Sequence, residues 1–158
     1  MNEMHGICHT CSIPVDAGYF DEASFHEAPE LNKEIVLAQY KLHPNHCGVL
    51  MSFAQFTDLY AQSSTQVQTP GLQWQIRCNG QPRDPYLTFE YILNPWGYSG
   101  MPVQLRLEEG CLIEMVVRKV PVPNTVEDTP APQITRVGGR ITGRYWYNTD
   151  FGGAPNRL

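Results

Sequence analysis

The feature that most constrains this chain is a repeated alternation of apolar and polar residues over short stretches. The stretch LQWQIRC, residues 72–78, is the clearest, because apolar residues occupy every second position and polar residues lie between them. A period of two is typical of a β-strand with one buried and one exposed face. EIVLAQYKL (34–42) and CLIEMVVRKV (111–120) are also strand-like, and the first predicts that Val36, Ala38, Tyr40 and Leu42 lie on one face.

Turn signals between these stretches indicate how the strands are arranged. HPNHCG (43–48) combines proline, asparagine and glycine, and Asn79-Gly80 is suited to the positive φ of a tight turn. About seven or eight short strands fit between such signals, including YLTFEYIL (86–93). We therefore predict an all-β antiparallel β-sandwich, either Ig-like or jelly-roll, because periodicity does not distinguish the two topologies. The predicted core contains Trp74, Ile76, Phe89, Leu105, Met115 and Ile141.

The two ends of the chain lack this alternation. Residues 1–32 have no clear period, although DEASFHEA, which begins at Asp21, has the composition of one or two helical turns. We expect these residues to form an irregular N-terminal arm, residues 33–148 the β-sandwich domain, and residues 149–158 a C-terminal tail. A length of 158 residues fits one such domain.

Composition and charge disfavour several classes of partner. The formal net charge is -5, whereas a nucleic-acid-binding face needs clustered lysine and arginine, so we expect no nucleic acid partner. No apolar run is long enough to span a membrane, and the N-terminus lacks the features of a secretory signal. The five cysteines are an odd number, which fits poorly with a closed set of disulfides. We expect synthesis in a reducing cytoplasm.

The stretch CHTC near the N-terminus raises the question of a metal site. Cys8 and Cys11 have a spacing that can chelate one zinc ion, and the next Cys/His cluster contains His43, His46 and Cys47. Two of these three would complete a tetrahedral structural site that ties the arm to the first β-turn. His5 and His9 offer a second route to four ligands. We expect the cysteines to be ordinary thiols and the protein to have no cofactor, with a structural zinc at these residues as the alternative. A redox-active pair is disfavoured because the βαβ context is absent.

No catalytic motif is evident in the rest of the chain. A nucleophile elbow, a phosphate loop and a dinucleotide fingerprint are all missing, and nothing marks Glu90 and Glu114 as a catalytic pair. We therefore expect that the protein is not an enzyme. The aromatic residues Trp96, Tyr98 and Trp146 could stack on sugars, which would make the domain a carbohydrate-binding module, although burial in the core is the commoner use of such residues.

One series of segments resembles a known class of protein. A Trp-bearing strand leads to an Asn-Gly turn in LQWQIRCNGQP, the segment MPVQLRLEEGCLIEMVVRKV follows, and VGGRITGRYWYN forms the last strand. This series, within residues 34–148, resembles small β-sandwich virion proteins of tailed bacteriophages. The resemblance implies a structural role in decoration or cementing of the capsid, or in the neck or tail, with localisation in the virion.

The composition agrees with what the resemblance implies. Only 17% of the residues are charged, against about 25% in a typical soluble domain, and such surfaces suit chains that pack against other subunits. We therefore expect a virion structural protein whose partners are capsid, neck or tail subunits, and which forms a homo-oligomer. A carbohydrate-binding module is the alternative, and a zinc-dependent enzyme built on the Cys/His cluster is a third hypothesis.

Overall fold

The computed structural model describes residues 13–14, 16–58, 67–68, 71–84, 86–92, 100–122 and 134–147, with backbone only at 67–68 and 91–92. Ten strands lie within these ranges, and none of the described residues is helical. In chain order the strands are β1 (Gly18–Glu27), β2 (Glu34–Lys41), β3 (His46–Thr57), β4 (Val67–Gln68), β5 (Leu72–Cys78), β6 (Gln81–Pro82), β7 (Tyr91–Ile92), β8 (Met101–Leu107), β9 (Leu112–Lys119) and β10 (Arg136–Tyr147). In the described part of the chain there is no helix that could span a membrane.

The strands form two antiparallel four-stranded sheets that enclose one core. Sheet 1 has the order β1-β10-β3-β8 and sheet 2 the order β2-β9-β5-β6, while β4 and β7 form a separate two-stranded ladder. Phe20, Phe53 and Ile141 from sheet 1 pack with Trp74 and Met115 from sheet 2 in the same buried cluster. The prediction of an all-β antiparallel β-sandwich is confirmed.

The strand order distinguishes between the two predicted topologies. In an Ig-like sandwich the first two strands belong to one sheet and the last two form a hairpin. Here β1 and β2 lie in different sheets, and so do β9 and β10. The chain changes sheets at each step from β1 to β2 to β3 to β5, and again from β8 to β9 to β10. This alternation between two four-stranded sheets is the jelly-roll arrangement.

The predicted core is largely confirmed at the level of single residues. Five of the six predicted residues are buried in the common cluster: Trp74, Ile76, Phe89, Met115 and Ile141. The sixth, Leu105, is partly buried and packs against that cluster. The alternation in β5 and β9 was therefore sufficient to assign their inward faces.

The prediction of helical turns beginning at Asp21 is wrong. Residues 18–27 form β1, which pairs with β10 along its whole length, from Gly18 opposite Tyr145 to Glu27 opposite Arg136. Pairing with an otherwise open sheet edge outweighs the weak local preference for helix. Ordered sandwich structure thus begins before residue 33, within the segment that the sequence assigned to the arm. Residues 1–12 and the predicted tail, 149–158, lie outside the described residues.

Two details of the strand predictions also differ. A β-bulge in β2 shifts the register between Val36 and Ala38, so that Leu37 and Ala38 are both buried and Val36 is exposed. A bulge inserts an extra residue, and a strict period of two cannot continue across it.

The predicted strand over 86–93 is reduced to a single bridge between Phe89 and Trp74 and to the short β7.

Candidate functional site

The outer face of sheet 1 carries exposed aromatic and apolar side chains along β1, the edge strand of the described sheet. Tyr19 and Phe25 of β1 are 59% and 60% exposed, and Met51 of β3 is 41% exposed. The Phe25 ring lies 5.4 Å, centroid to centroid, from that of Phe56. We call the set Tyr19, Phe25, Met51 and Phe56 the apolar face. Exposed patches of large apolar side chains are typical of surfaces that bind another protein. This face is therefore a candidate for such contact.

Local sequence explains why these side chains point outward. Phe20 occupies an inward position of β1, and strand alternation places Tyr19 and Phe25 on the other side. Gly138 of β10 lies under Phe25, and a Cβ at that glycine would lie 2.6 Å from the phenylalanine Cδ1. A bulge in β3, where Met51 has no partner in either neighbouring ladder, adds an extra outward residue.

An ion pair lies next to the apolar face. Arg140 of β10 donates to both carboxylate oxygens of Asp21 in β1, from Nε at 2.7 Å and from Nη2 at 2.5 Å. The hydrogen bonds from Arg140 hold the pKa of Asp21 below its usual value. This two-point contact fixes the position of β1 on β10 at the centre of their ladder.

The outer face of sheet 2 is polar. Arg77 donates from both terminal nitrogens to the carboxylate of Glu34, at 2.9 Å each, and from Nε to Oε1 of Gln75 at 2.8 Å. Gln75 in turn donates to Thr88 Oγ1 at 3.1 Å. A small depression of about 50 Å³ is lined by Gln73, Gln75, Arg77, Val116 and Arg118. We call this surface the polar face. Its hydrogen-bonded side chains differ in chemistry from the apolar face on the opposite side of the sandwich.

Two of the predicted metal ligands meet at one end of the sandwich. The ring centroids of His43 and His46 are 5.9 Å apart, and Nδ1 of His46 donates to the carbonyl of Pro44 at 3.0 Å. With a Zn–N distance of about 2.1 Å, two histidine ring centres bound to one tetrahedral zinc would be roughly 5 Å apart. The observed separation is somewhat larger, and Nε2 of His46 is the ring nitrogen that does not donate to Pro44.

The third predicted ligand of this cluster faces elsewhere. Consecutive residues of a strand point to opposite faces, and Cys47 follows His46 within β3. Cys47 pairs with Trp146 in the ladder, whereas His46 contacts Tyr145 and Tyr147 on the other side. Cys8 and Cys11 lie outside the described residues, and within the described ranges no three His, Cys, Asp or Glu side chains form a group suited to a metal. The zinc site stays a prediction.

An aromatic cluster continues inward from the two histidines. The rings of Tyr40 and Phe20 stack at 4.6 Å, and Tyr145 lies 5.7 Å from Tyr40. Burial, with a hydrogen bond to Tyr145, raises the pKa of Tyr40 above its usual value. The end of the sandwich is therefore closed by aromatic rings, with His43 exposed at the rim.

One pair of side chains has the composition, but not the geometry, of a nucleophile and its base. Ser24 Oγ lies 2.9 Å from Nε2 of His26 and donates its hydrogen to the carbonyl of Leu37. Because a hydroxyl has one proton, His26 is the donor in its contact with Ser24 and does not act as a base toward it. Sequence reasoning overlooked this pair because β1 was not predicted as a strand.

Of the three aromatic residues predicted to bind sugars, the structure describes only Trp146. Trp146 is half-buried in β10, and Trp96 and Tyr98 lie outside the described residues. No protein-family model matches the chain, and a search of curated proteins finds no significant match. The fold and these surfaces together define a jelly-roll β-sandwich with one apolar and one polar outer face.

Proposed function

We propose that the protein is a structural subunit of a virus particle, a virion protein of a tailed bacteriophage that packs on capsid, neck or tail subunits as a decoration or cement component. The observation that carries the proposal is the apolar face along β1, the edge strand of the described sheet. Jelly-roll sandwiches are common in virus capsids, and this supports the proposal by analogy only, since one fold serves many functions.

The apolar face has the composition of a protein–protein interface core. Aromatic residues and methionine are enriched at such cores and charged residues are depleted. Tyr19, Phe25 and Met51 supply these side chains, and Asp21 and Arg140 neutralise each other among them. Such a patch is suited to a neighbouring subunit or a second copy of the chain.

The test of this function is incorporation of the chain into particles. Purified particles from the phage that encodes the chain should contain it at a fixed stoichiometry by mass spectrometry. Phe25→Asp should reduce incorporation at least tenfold while the purified variant stays folded, because an unpaired charge would be buried in the interface. Leu87→Asp is the matched control, since Leu87 is 48% exposed but lies away from the apolar face, and its incorporation should be unchanged.

Absence of the chain from purified particles would contradict the proposal. Equal incorporation of both aspartate variants would contradict the role of the apolar face. The second candidate function is carbohydrate binding, which the polar face favours because amide, guanidinium and carboxylate groups are the usual partners of sugar hydroxyls. In that case a glycan array should give specific signals that Gln75→Ala removes, in a chain that is monomeric and absent from particles.

A further inference from the structure

Two buried cysteines lie together in sheet 2. Cys78 is the last residue of β5 and Cys111 directly precedes β9. Both thiols are free, and the residues are 6% and 1% exposed within the common core.

The strand register brings the two thiols to the same face. Cys78 lies opposite Ile113, and the next residue, Asn79, exchanges hydrogen bonds with Leu112, at 2.8 Å from its backbone N–H and 2.9 Å to its side-chain oxygen. Cys111 is two residues from Ile113 and therefore shares its inward face. The side chains of Cys78 and Cys111 hydrogen-bond to each other.

The contact makes the two thiols chemically unequal. The hydrogen bond between them raises the pKa of Cys78 and lowers the pKa of Cys111. The guanidinium of Arg83 also favours the thiolate, and the carboxylate of Glu108 opposes it. Arg83 and Glu108 lie 4.0 Å apart. A thiolate, not a thiol, is the species that attacks a disulfide.

We propose that Cys78 and Cys111 form a redox-responsive pair that closes to an intramolecular disulfide when the protein meets a low-molecular-weight disulfide such as oxidised glutathione. The thiolate of Cys111 attacks one glutathione sulfur and releases one glutathione thiolate. Cys78 then loses its proton to solvent, attacks the Cys111 sulfur of the mixed disulfide and releases the second glutathione. Two protein thiols are oxidised and one glutathione disulfide is reduced to two thiols.

Access to the buried pair requires a local opening at the edge of sheet 2. The turn at Asn79 and Gly80 leads into β6, a two-residue strand that pairs only with the end of β5. Short edge strands open more readily than central ones. The disulfide would close the loop 79–110, which includes β8 of sheet 1, and would restrict the unfolded chain.

The experiment isolates this pair in the full-length chain. A variant with Cys8→Ser, Cys11→Ser and Cys47→Ser retains only Cys78 and Cys111. After incubation with oxidised glutathione, its intact mass should fall by two hydrogen atoms, a non-reducing digest should link the peptides of Cys78 and Cys111, and Tm should rise by several degrees. The same variant with Cys78→Ser in addition should show neither the link nor the rise.

Charge variants test the local chemistry with opposite signs. Arg83→Gln should slow oxidation several-fold, and Glu108→Gln should accelerate it, whereas a general loss of structure would shift both rates in the same direction. Unchanged mass, or only mixed and intermolecular disulfides, would overturn the proposal. If the triple variant does not fold, the non-reducing digest of the oxidised wild-type protein decides, and a link between Cys78 and Cys111 is the result that the proposal requires.

Discussion

The backbone of Trp74 in β5 pairs with Phe89 on one side and with β9 on the other, and its side chain is fully buried. Its backbone N–H donates to the carbonyl of Phe89 at 2.9 Å, and its carbonyl accepts from the N–H of Phe89 at 3.1 Å. In the other direction it lies opposite Val117 in the ladder between β5 and β9. The indole therefore fills the core at the point where the irregular segment after β6 returns to the sheet.

Truncation of this side chain should cause a large loss of stability. We expect Trp74→Ala to lower the free energy of unfolding by about 3–5 kcal/mol, because the transfer energy is lost and a cavity remains. Urea denaturation followed by circular dichroism measures the loss. Tyr147→Ala is the control, since Tyr147 is half-exposed, and it should cost less than about 1 kcal/mol. A small effect of Trp74→Ala would mean that this core assignment is wrong.

Two glycines of β10 differ in what an added side chain would contact. A Cβ at Gly143 would lie 2.3 Å from both the Val49 carbonyl oxygen and the Phe20 ring, whereas a Cβ at Gly138 would mainly meet the exposed ring of Phe25. A backbone carbonyl in a central ladder cannot move without disturbing the sheet, but an exposed ring can rotate away.

Alanine substitutions at these glycines should therefore differ in effect. We expect Gly143→Ala to lower the free energy of unfolding by about 2–3 kcal/mol or more, at the upper end of what overpacking usually causes. Gly138→Ala should lower it clearly less. Thermal unfolding of the two variants beside the wild type measures the difference. Equal losses would contradict the close approach of β3 to Gly143.

At the scale of single elements, β1 is attached to the sandwich by its ladder and by one ion pair. Asp21 and Arg140 lie opposite Thr142 and Ala23 respectively, so the pair crosses the ladder diagonally. Removal of the pair should weaken the attachment of β1 more than it affects the core, because both side chains are partly exposed.

The contribution of this pair should depend on pH in one direction. Because the pKa of Asp21 is lowered in the folded protein from the unfolded value of 3.8, its stabilisation is complete above pH 3.8 and is lost as the pH falls through the folded-state value. We expect wild type to lose more stability than Asp21→Asn between pH 6 and pH 2.5, as measured by urea denaturation at each pH. Glu30→Gln, which changes an exposed pair with Lys33, should follow the wild type. A parallel decline of Asp21→Asn and wild type would contradict the expectation.

Elements with one clearly buried face could be predicted from sequence, and elements at edges could not. β5 alternates without interruption because sheet 2 buries one side of it, and β9 alternates up to Met115 and has Val116 buried on its other face as well. β1 buries Phe20 but few other side chains, since it lies at the edge of sheet 1, and its polar pattern does not differ from that of an irregular segment. The bulge at Leu37 depends on contacts between sheets, which a local pattern does not contain.

The candidate surfaces follow the same rule. The two histidines of the predicted metal cluster are adjacent because a tight turn joins β2 to β3, and sequence spacing alone indicates this. The apolar face and the pair Cys78 and Cys111 depend on pairing between distant strands. Phe25 and Phe56 are 31 positions apart along the chain and Cys78 and Cys111 are 33 apart, so no local motif identifies them.

At the scale of the whole molecule, the first and last described strands are neighbours. Gly18 of β1 lies opposite Tyr145 of β10, so sheet 1 is completed only when the two ends of the domain meet. The free-energy cost of closing a loop grows with the logarithm of its length. Antiparallel β-proteins with such distant pairings fold in milliseconds to seconds, more slowly than helical bundles.

A circular permutant should shorten the distance along the chain between β1 and β10 and so accelerate folding. The permutant joins residue 148 to residue 17 through a short glycine–serine linker and opens the chain in the exposed turn between Glu109 and Gly110. The pairing of β1 with β10 then becomes local, and β3 also comes closer to β10 along the chain. We expect refolding in stopped-flow experiments to be several-fold faster than in the wild type.

The same permutant should be less stable, because opening the turn weakens the contact between the Gly110 N–H and the His46 carbonyl. Faster folding together with lower stability would show that the pairing of β1 with β10 limits the folding rate of the wild type, because a lower stability alone does not accelerate folding. Unchanged or slower refolding would instead indicate that the pairing of β5 with β9, which the permutant makes more distant, forms at the rate-limiting step.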